Sequence, residues 1–454
     1  MALGLCSVAS AQTAAPYPGS VTPGAVPPPP TPEPLPPPAQ VTQPTTPPVV
    51  GPSPVAPVVA EPVTTEPPPA PVAEEAPAAA EEEEAPWYSN FSLGGFVDAY
   101  GAIRSDSNRK RPSPPPGTTI LGQYAHEGYV TGEGFGLAFA GIDAAYSGDK
   151  FGATISLRFG PGVNRFYFGD NGALGIDNIT AAYATYKPTE NITFDLGQFG
   201  TLYGAEVLES WRNVNYSRGA LYYAMQPFWH TGLRANFKLH DAFALNAMVV
   251  NGVNNAFETN KSPSLGLQAV VTANENFTLA AGYLGALNPR DTDELFQNFF
   301  DVVATVTAGG FKLVGNFDFN SYKLKGEDRE NWWGVSVAPA YAFNDYFGIG
   351  LRYEYLSDSQ NKLFAMTPKG AVAEAAPTDD DPDATALPTV GGTTSLNTFT
   401  ATLDIKPVPG SAALVIRPEF RYEVASDNYF NKSGGSLTDG FWTAHLGVVV
   451  TSLP

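Results

Sequence analysis

Between Gly204 and Arg218 the sequence sets two acids, Glu206 and Glu209, against two bases, Arg212 and Arg218, with the amides of Asn213 and Asn215 among them. Opposed charges packed this closely can do one of two things. They can pair and pin a loop, or they can face each other across a narrow passage, where the field between them orients dipolar solutes and filters ions. A loop that constricts a pore has to be anchored, so both can hold. The same residues make no hydrolytic set. No Ser/His/acid grouping stands out, and the chain has no Gly-x-Ser-x-Gly elbow, Walker loop or His-Glu-x-x-His motif. Its four histidines, His126, His230, His240 and His445, do not pair at ligand spacing, and the single cysteine, Cys6, allows neither a disulfide framework nor a cysteine metal site. The reading is therefore a protein that is not an enzyme, with no cofactor and no resident metal.

Two other polar groupings carry less. Asp379, Asp380, Asp381 and Asp383 cluster in a long loop, where a divalent cation could bridge to lipopolysaccharide. Their spacing fits no twelve-residue calcium loop, and a solvated acidic loop is the expectation. His240 and Asp241 sit in a tight turn and read as turn chemistry.

The stretch that contains the charges, GAEVLESWRNVNYSRGALYY (204–223), has no period of two and is too long for a hairpin turn, yet it interrupts a chain that otherwise reads as strands. In KFGATISLRF, Phe151, Ala153, Ile155, Leu157 and Phe159 fall on one face, and Thr154, Ser156 and Arg158 on the other. FKLVGNFDFN sets Lys312, Asn316 and Asp318 against Phe311, Leu313 and Phe317; HTGLRANFKL sets His230 and Arg234 against Leu233 and Phe237. FGIGLRYEYL and LVIRPEFRYEV place Arg352 with Glu354, and Arg417 with Glu419, Arg421 and Glu423, on polar faces. Alternation of this kind marks strands with one apolar and one polar side.

About sixteen such strands are expected, near 91–103, 134–147, 150–160, 176–187, 191–199, 229–239, 243–253, 263–274, 276–287, 298–308, 311–322, 332–343, 346–357, 395–406, 412–424 and 439–450. The connections alternate between short (SGDK, KPTEN, HDA, ANEN, AGG, FNDY, KPVPGS) and long (near 104–133, 160–175, 200–228, 254–262, 288–297, 323–331, 358–394 and 425–438). A sandwich has no reason to sort its loops in this way, whereas an up-and-down membrane barrel does, with tight turns on the periplasmic rim and loops outside. The fold class is thus an all-β, transmembrane, antiparallel up-and-down barrel over 87–454. Because no backbone group can stay unpaired in hydrocarbon, the sheet must close.

The apolar face then meets lipid. The polar residues Arg158, Arg234, Lys312, Asp318, Arg352, Glu354, Arg417, Glu419 and Arg421 face an aqueous lumen, where pairs such as Arg352/Glu354 and Arg417/Glu419 need no burial. Trp87, Tyr88, Tyr100, Trp332, Trp333, Phe441 and Trp442 are expected to form interfacial girdles. Residues 200–228 fold inward as a constriction, with Gly200, Gly204 and Gly219 letting the backbone bend in and out.

Composition agrees. Among 454 residues, 12% are aromatic and only 15% charged, against roughly 25% in an ordinary soluble domain. No apolar run is long enough for a transmembrane helix. The net charge of −20 argues against nucleic acid as a partner. At the N-terminus, residues 1–11 read as the remnant of an export signal, with Ala9-Ser10-Ala11 before Gln12 as the cleavage site. Residues 12–86 are rich in Pro, Ala and Glu; proline removes donors and fixes φ, so this segment is expected to be a disordered periplasmic tether. Fully extended it reaches on the order of 200 Å, far enough to touch peptidoglycan.

One stretch also carries a family resemblance. GQFGTLYGAEVLESWRNVNYSRGALYYAMQPFWHTGLRANFKL, followed by VVNGVNN, and the first strand FSLGGFVDAY, resemble the putative beta-barrel porin-2 (OmpL-like) family of Gram-negative outer membranes. The likeness spans about 90–450 and is most specific at Gly204-Ala205-Glu206, Asn215-Tyr216-Ser217-Arg218, His230 to Arg234 and Asn251-Gly252. It implies an outer-membrane porin and assigns no catalytic residues. The expected function is passive diffusion of small hydrophilic solutes or ions through a water-filled barrel narrowed by 200–228. The alternatives are a substrate-specific channel for sugars or oligopeptides, and a structural envelope protein whose tether contacts peptidoglycan. Outer-membrane lipid, lipopolysaccharide and the barrel assembly machinery are the expected partners. The chain ends HLGVVVTSLP, without the terminal aromatic that this machinery commonly reads, so the expectation is either a weaker internal signal or a tail that extends past the signal. A homotrimer is compatible, since lipid-facing and subunit-facing strands read alike.

Overall fold

A computed structural model describes residues 90–105, 134–160, 163, 178–258, 261–287, 295–326, 328–358, 393–408, 413–431 and 437–452. The export signal, the tether, Trp87, Tyr88 and the Asp379–Asp383 cluster lie outside the described residues.

The strands are β1 (Phe91–Arg104), β2 (Gly134–Ser147), β3 (Phe151–Phe159), β4 (Ile179–Thr189), β5 (Ile192–Gly200), β6 (Trp229–His240), β7 (Phe243–Val250), β8 (Ser264–Asn274), β9 (Phe277–Leu287), β10 (Leu295–Ala308), β11 (Phe311–Leu324), β12 (Glu330–Ala342), β13 (Phe347–Ser357), β14 (Ser395–Ile405), β15 (Leu414–Ala425), the short pair β16 (Phe430–Asn431) and β17 (Leu437–Thr438), and β18 (Gly440–Thr451). β16 and β17 pair with each other; the other sixteen close into one antiparallel barrel. Each strand bonds to its neighbours in sequence, and β1 seals against β18 with Val97 opposite Val450 and Asp98 opposite Val449.

Strand boundaries follow the alternation in the sequence, to within three residues. At β7 the expected strand runs on to 253, but the chain leaves the sheet after Val250. Gly252 (φ 116°) and Asn254 (φ 55°) adopt left-handed backbone there, which no strand continues through.

The wall is inverted relative to a soluble protein. Leu93 is 79% exposed, Phe135 97% and Ile155 51%, whereas Asp98, Arg158, Asp318, Glu354 and Arg421 are buried inside. Outward large apolar side chains recur on strand after strand, and only hydrocarbon makes such a surface favourable.

Aromatic girdles are present, but not where the sequence analysis put all of them. Trp333 does face outward, with its ring 5.4 Å from Tyr355. Its neighbour Trp332 must then point inward, and it is buried, as are Tyr100 and Phe441. The short-turn rim carries a girdle built instead from Phe91–Tyr146, Phe151–Tyr186, Tyr341–Phe343 and Tyr346–Phe347, with ring centroids 4.9 to 6.4 Å apart.

The inverted wall is open to a direct measurement. Placing a guanidinium on the lipid face by Ile155→Arg should cost about 2–4 kcal/mol. Thr154→Arg, which points into the bore, should cost less than roughly half of that. Urea unfolding in lipid vesicles, followed by tryptophan fluorescence, separates the two; equal costs would contradict the assignment of faces.

Candidate functional site: an insert wired across the bore

Residues 201–228 leave β5 and return into β6 through the interior of the barrel. Gly204 turns the chain with a left-handed φ of 90°. Regular structure within the insert is limited to a 3-10 turn at Ser210–Arg212 and a short helix, α1 (Ala220–Met225). Most of its backbone therefore lacks a strand or helix partner, and an unpaired peptide group away from water is costly.

The wall supplies the partners. Arg417 of β15 donates to the carbonyls of Asn213 (3.1 Å), Val214 (2.8 Å), Asn215 (3.3 Å) and Ser210, while its Nε pairs with Asp404 at 2.7 Å. Two residues on, Glu419 accepts from the amides of Tyr216 (2.7 Å) and Ser217 (3.1 Å). Arg421 donates to the Arg218 carbonyl at 2.8 Å and is held by Glu423 at 2.6 Å. On β13, Arg352 donates to the Ser217 carbonyl (2.7 Å) and pairs with Glu206 (2.5 Å) and Glu354 (3.1 Å). Glu354 accepts from the amides of Ala220 (3.1 Å) and Leu221 (3.0 Å), capping the start of α1, which has no capping side chain of its own. Arginines take carbonyls and glutamates take amides. Such charge-assisted bonds contribute roughly 1.5–3 kcal/mol each.

Other strands hold the rest. Asp98 of β1 accepts from the Ser210 hydroxyl at 2.7 Å and from the Tyr216 hydroxyl at 2.8 Å. The Tyr216 ring packs against Gly447 of β18 and the Val214 carbonyl against Gly350 of β13, each in the space a Cβ would need. Arg158 of β3 pairs with Asp143 (2.5 Å) and Glu209 (2.7 Å). Leu221 and Met225 of α1 pack with Trp332 and Phe441, the two aromatics that turned inward. Asn316 of β11 accepts from the Ala205 amide (3.1 Å) and from Gln226 (2.7 Å), which also donates to Asp318 (2.8 Å). The exit is clasped by Asn254, whose side-chain Oδ1 accepts from the amides of Phe228 (2.8 Å) and Trp229 (3.1 Å), and by His230 Nδ1, 2.9 Å from the Gly252 carbonyl.

All six insert residues singled out in the sequence lie inside the barrel, but their pairing differs from the expectation. Glu206 and Glu209 do not oppose Arg212 and Arg218 across a gap; each faces a wall arginine. Arg218 is buried, donates to the carbonyls of Leu208 and Tyr216, and stacks on Phe139 with 5.4 Å to the ring centroid. Asn213 bonds back to the Val207 amide (2.9 Å) and carbonyl (2.8 Å), and Asn215 donates to Thr402 (2.7 Å). Only Arg212 of the six is exposed.

The wall residues do face the lumen, yet Arg158, Asp318, Arg352, Glu354, Arg417, Glu419 and Arg421 are buried there rather than bathed in water, because most of them carry the insert. Arg417 and Glu419 do not pair with each other; each reads the insert backbone instead. Arg234 pairs with Asp195 at 2.7 Å, and Lys312 is exposed. Gly219 acts by close approach: its φ is −65°, and the carboxylates of Glu354 and Glu206 occupy the space a side chain would need. Sequence reasoning missed Asp98, Tyr216, Gln226 and Asn254. Asp98 carried a signal, being the one charge in the middle of an otherwise apolar strand, FSLGGFVDAYGAI.

Burial pushes the Glu206 carboxyl above its ordinary value of 4.5, with Glu354 adding to the rise and Arg352 opposing it. The docked insert therefore holds this proton more tightly than the free chain does. The stability contributed by Glu206 is full below 4.5 and declines as pH climbs through the raised value. Limited proteolysis of the insert in detergent should show docking that loosens with rising pH in that window, and Glu206→Gln should flatten the dependence.

The barrel is similar in fold to the anion-selective porin from Comamonas acidovorans, at 10% identity over 80% of this chain and 99% of that one, with a TM-score of 0.50. It is also similar to OmpT of Vibrio cholerae (12% identity, 80% and 97% of the chains, TM-score 0.48) and to OmpF of Salmonella typhi (13%, 80% and 97%, 0.46). At these identities the likeness is one of fold alone. No curated protein matches the sequence significantly. The model of the family described as putative beta-barrel porin-2, OmpL-like, matches residues 90–449, and the chain belongs to that family.

Proposed function

We propose that the protein is an outer-membrane porin through which small hydrophilic solutes and ions diffuse passively, past an insert that narrows the bore. The observation that carries this reading is a closed sixteen-stranded cylinder, apolar outside and polar inside, whose only internal obstruction among the described residues is a polar loop. Glu206, Glu209, Arg212, Asn213, Asn215 and Arg218 form the constriction in this reading: most of them fix the insert, and Arg212 meets the solute. Catalysis has no part in it. An even strand number brings both ends of the barrel to the short-turn rim, on the periplasmic side, where residues 12–86 hang as the tether. The outward face meets lipid and lipopolysaccharide, the assembly machinery inserts the barrel, and homotrimers are the proposed assembly.

A second reading is favoured by one observation. The insert is bonded to strands around much of the circumference, from β1 and β3 through β11, β13 and β15. A bore crossed so thoroughly suits a plugged barrel with a structural role in the envelope. The two readings part in planar bilayers. Discrete conductance steps are expected from the porin, and silent membranes together with co-sedimentation of the 12–86 segment with peptidoglycan would favour the structural protein. Block by an added sugar or oligopeptide would narrow the channel to a specific one.

The role of the insert has its own test. Deleting Gly204–Arg218 should widen the pore, but it also strands the buried charges of β13 and β15. Labelling is cleaner. Val207 is 42% exposed on the insert. In a Cys6→Ser background, Val207→Cys treated with a bulky charged thiol reagent should lose conductance, and unchanged conductance would remove the insert from the path.

A further inference from the structure

Asp301 of β10 and Asp318 of β11 stand directly opposite each other in the sheet, and both are buried inside the barrel with no exposed surface. Like charges in this position repel across a strand pair. Elsewhere in the interior a buried acid comes with its own arginine, Glu354 with Arg352 and Glu423 with Arg421. Asp301 and Asp318 have no such cation beside them among the described residues.

What does bond to them is amide. Asn316 Nδ2 donates to Asp301 Oδ1 (2.9 Å) and to Asp318 Oδ1 (3.1 Å), and Gln226 Nε2 donates to Asp318 Oδ2 (2.8 Å). Two acceptors are left over. Asp301 Oδ2 has no hydrogen-bond partner, and neither does Oε1 of Gln226, a side chain only 3% exposed. The Gln226 amide is fixed in this sense, because turned round its oxygen would face Asn316 Oδ1 and Asp318 Oδ2. Both groups meet at Gly204 of the insert. Gln226 Oε1 fills the place of a Cβ there, and the Gly204 amide faces the Asp301 carboxyl. Insert and wall thus turn more acceptor oxygens than donors toward one point, a surplus that buried polar groups rarely carry.

We propose that Asp301, Asp318 and Gln226 Oε1 bind a hard divalent cation, calcium, which pins both ends of the insert, at Gly204 and at Gln226, to β10 and β11. One divalent charge neutralises two carboxylates. A set made only of oxygens, mixing carboxylate with amide carbonyl, suits calcium, which accepts irregular geometry; magnesium demands a near-ideal octahedron. Transition metals favour the imidazole and thiolate that this site lacks. No three acidic or histidine side chains gather as a metal site among the described residues, so the amide oxygen is a required ligand here and water completes the sphere. Asn316 also lines a cavity of about 30 Å³, room for one or two waters beside the pair. The site holds for a conducting and for a plugged barrel alike.

Full-length protein in detergent, stripped with a chelator and dialysed against radioactive calcium chloride at about 1 mM, the range of extracellular calcium modules, tests this. Asp301→Asn/Asp318→Asn keeps the shape of both side chains and removes both charges. It should bind one calcium per chain fewer than the unaltered protein, with heat-modifiable migration on gels used to verify a folded barrel. In the unaltered protein, calcium should slow limited proteolysis of the insert, and equal concentrations of magnesium or potassium should slow it less. That measurement decides the matter should the double variant fail to fold. Unaltered protein that takes up no calcium would overturn the site and leave a shared proton to reconcile the two carboxylates. A folded double variant that keeps the full calcium count would also overturn it, by placing the ion elsewhere, as would proteolysis indifferent to which cation is added.

Discussion

An extended polypeptide cannot cross the inside of a barrel unless its peptide groups are paired, and here the barrel wall does the pairing with side chains. Everything distinctive about the interior follows from that need. A carbonyl asks for a donor and an amide for an acceptor, so the wall opposite the insert carries Arg and Glu alternating at every second residue: Arg352 and Glu354 on β13, and Arg417, Glu419, Arg421 and Glu423 on β15. Positions two apart on a strand share a face, so one strand presents donor, acceptor, donor, acceptor along the path of the insert. Fixed charges buried in this way would be expensive alone; matching to one another and to backbone dipoles offsets most of that cost.

The strand between these two has a supporting part. β14 turns Thr398, Thr400 and Thr402 inward, short side chains that leave room for the long ones on either side. Thr402 donates to Glu419 at 2.6 Å, Thr398 to Glu423 at 3.4 Å, and Thr400 accepts from Arg352 at 3.3 Å. The hydroxyls tie the Arg/Glu columns into one layer, so the geometry the insert meets is set by a network and not by single rotamers. Glycine contributes where bulk would be fatal: Gly447 receives the ring of Tyr216 and Gly350 the backbone at Val214.

The barrel was legible in the sequence because its cause is local. Period-two alternation and the sorting of short and long connections are properties of consecutive residues, and they gave all sixteen strands and the correct faces. The interior of the insert was legible only in outline. That Glu206 meets Arg352, or that Asp98 meets Tyr216, depends on residues more than a hundred positions apart, and no local pattern carries it. The inward turn of Trp332 and Phe441 was misread for a related reason. Aromatics near strand ends suggest an interface, but alternation alone decides the face, and Trp332 beside Trp333 cannot share it. One clue was available. RPEFRYE holds more charge than a merely wet lumen requires, and that density signals something to be bonded.

The late position of β15 has a consequence for biogenesis. Tyr216 and Glu419 are 203 residues apart, and Ser217 and Arg352 are 135 apart. The insert is thus made long before the side chains of β13 and β15 that satisfy much of it, and in a chain halted ahead of β13 the peptide groups those strands bond, from Asn213 to Leu221, would lack these partners. Long-range closure of this kind is slow and entropically uphill until the final contacts form. The seam between β1 and β18 and the seating of the insert draw on the same stretch of C-terminal sequence, with Tyr216 bonded to Asp98 on one side of the seam and resting on Gly447 on the other. Completing the cylinder and occupying its centre are in effect one event, so a defect in either should be inspected, and rejected, as a defect in both.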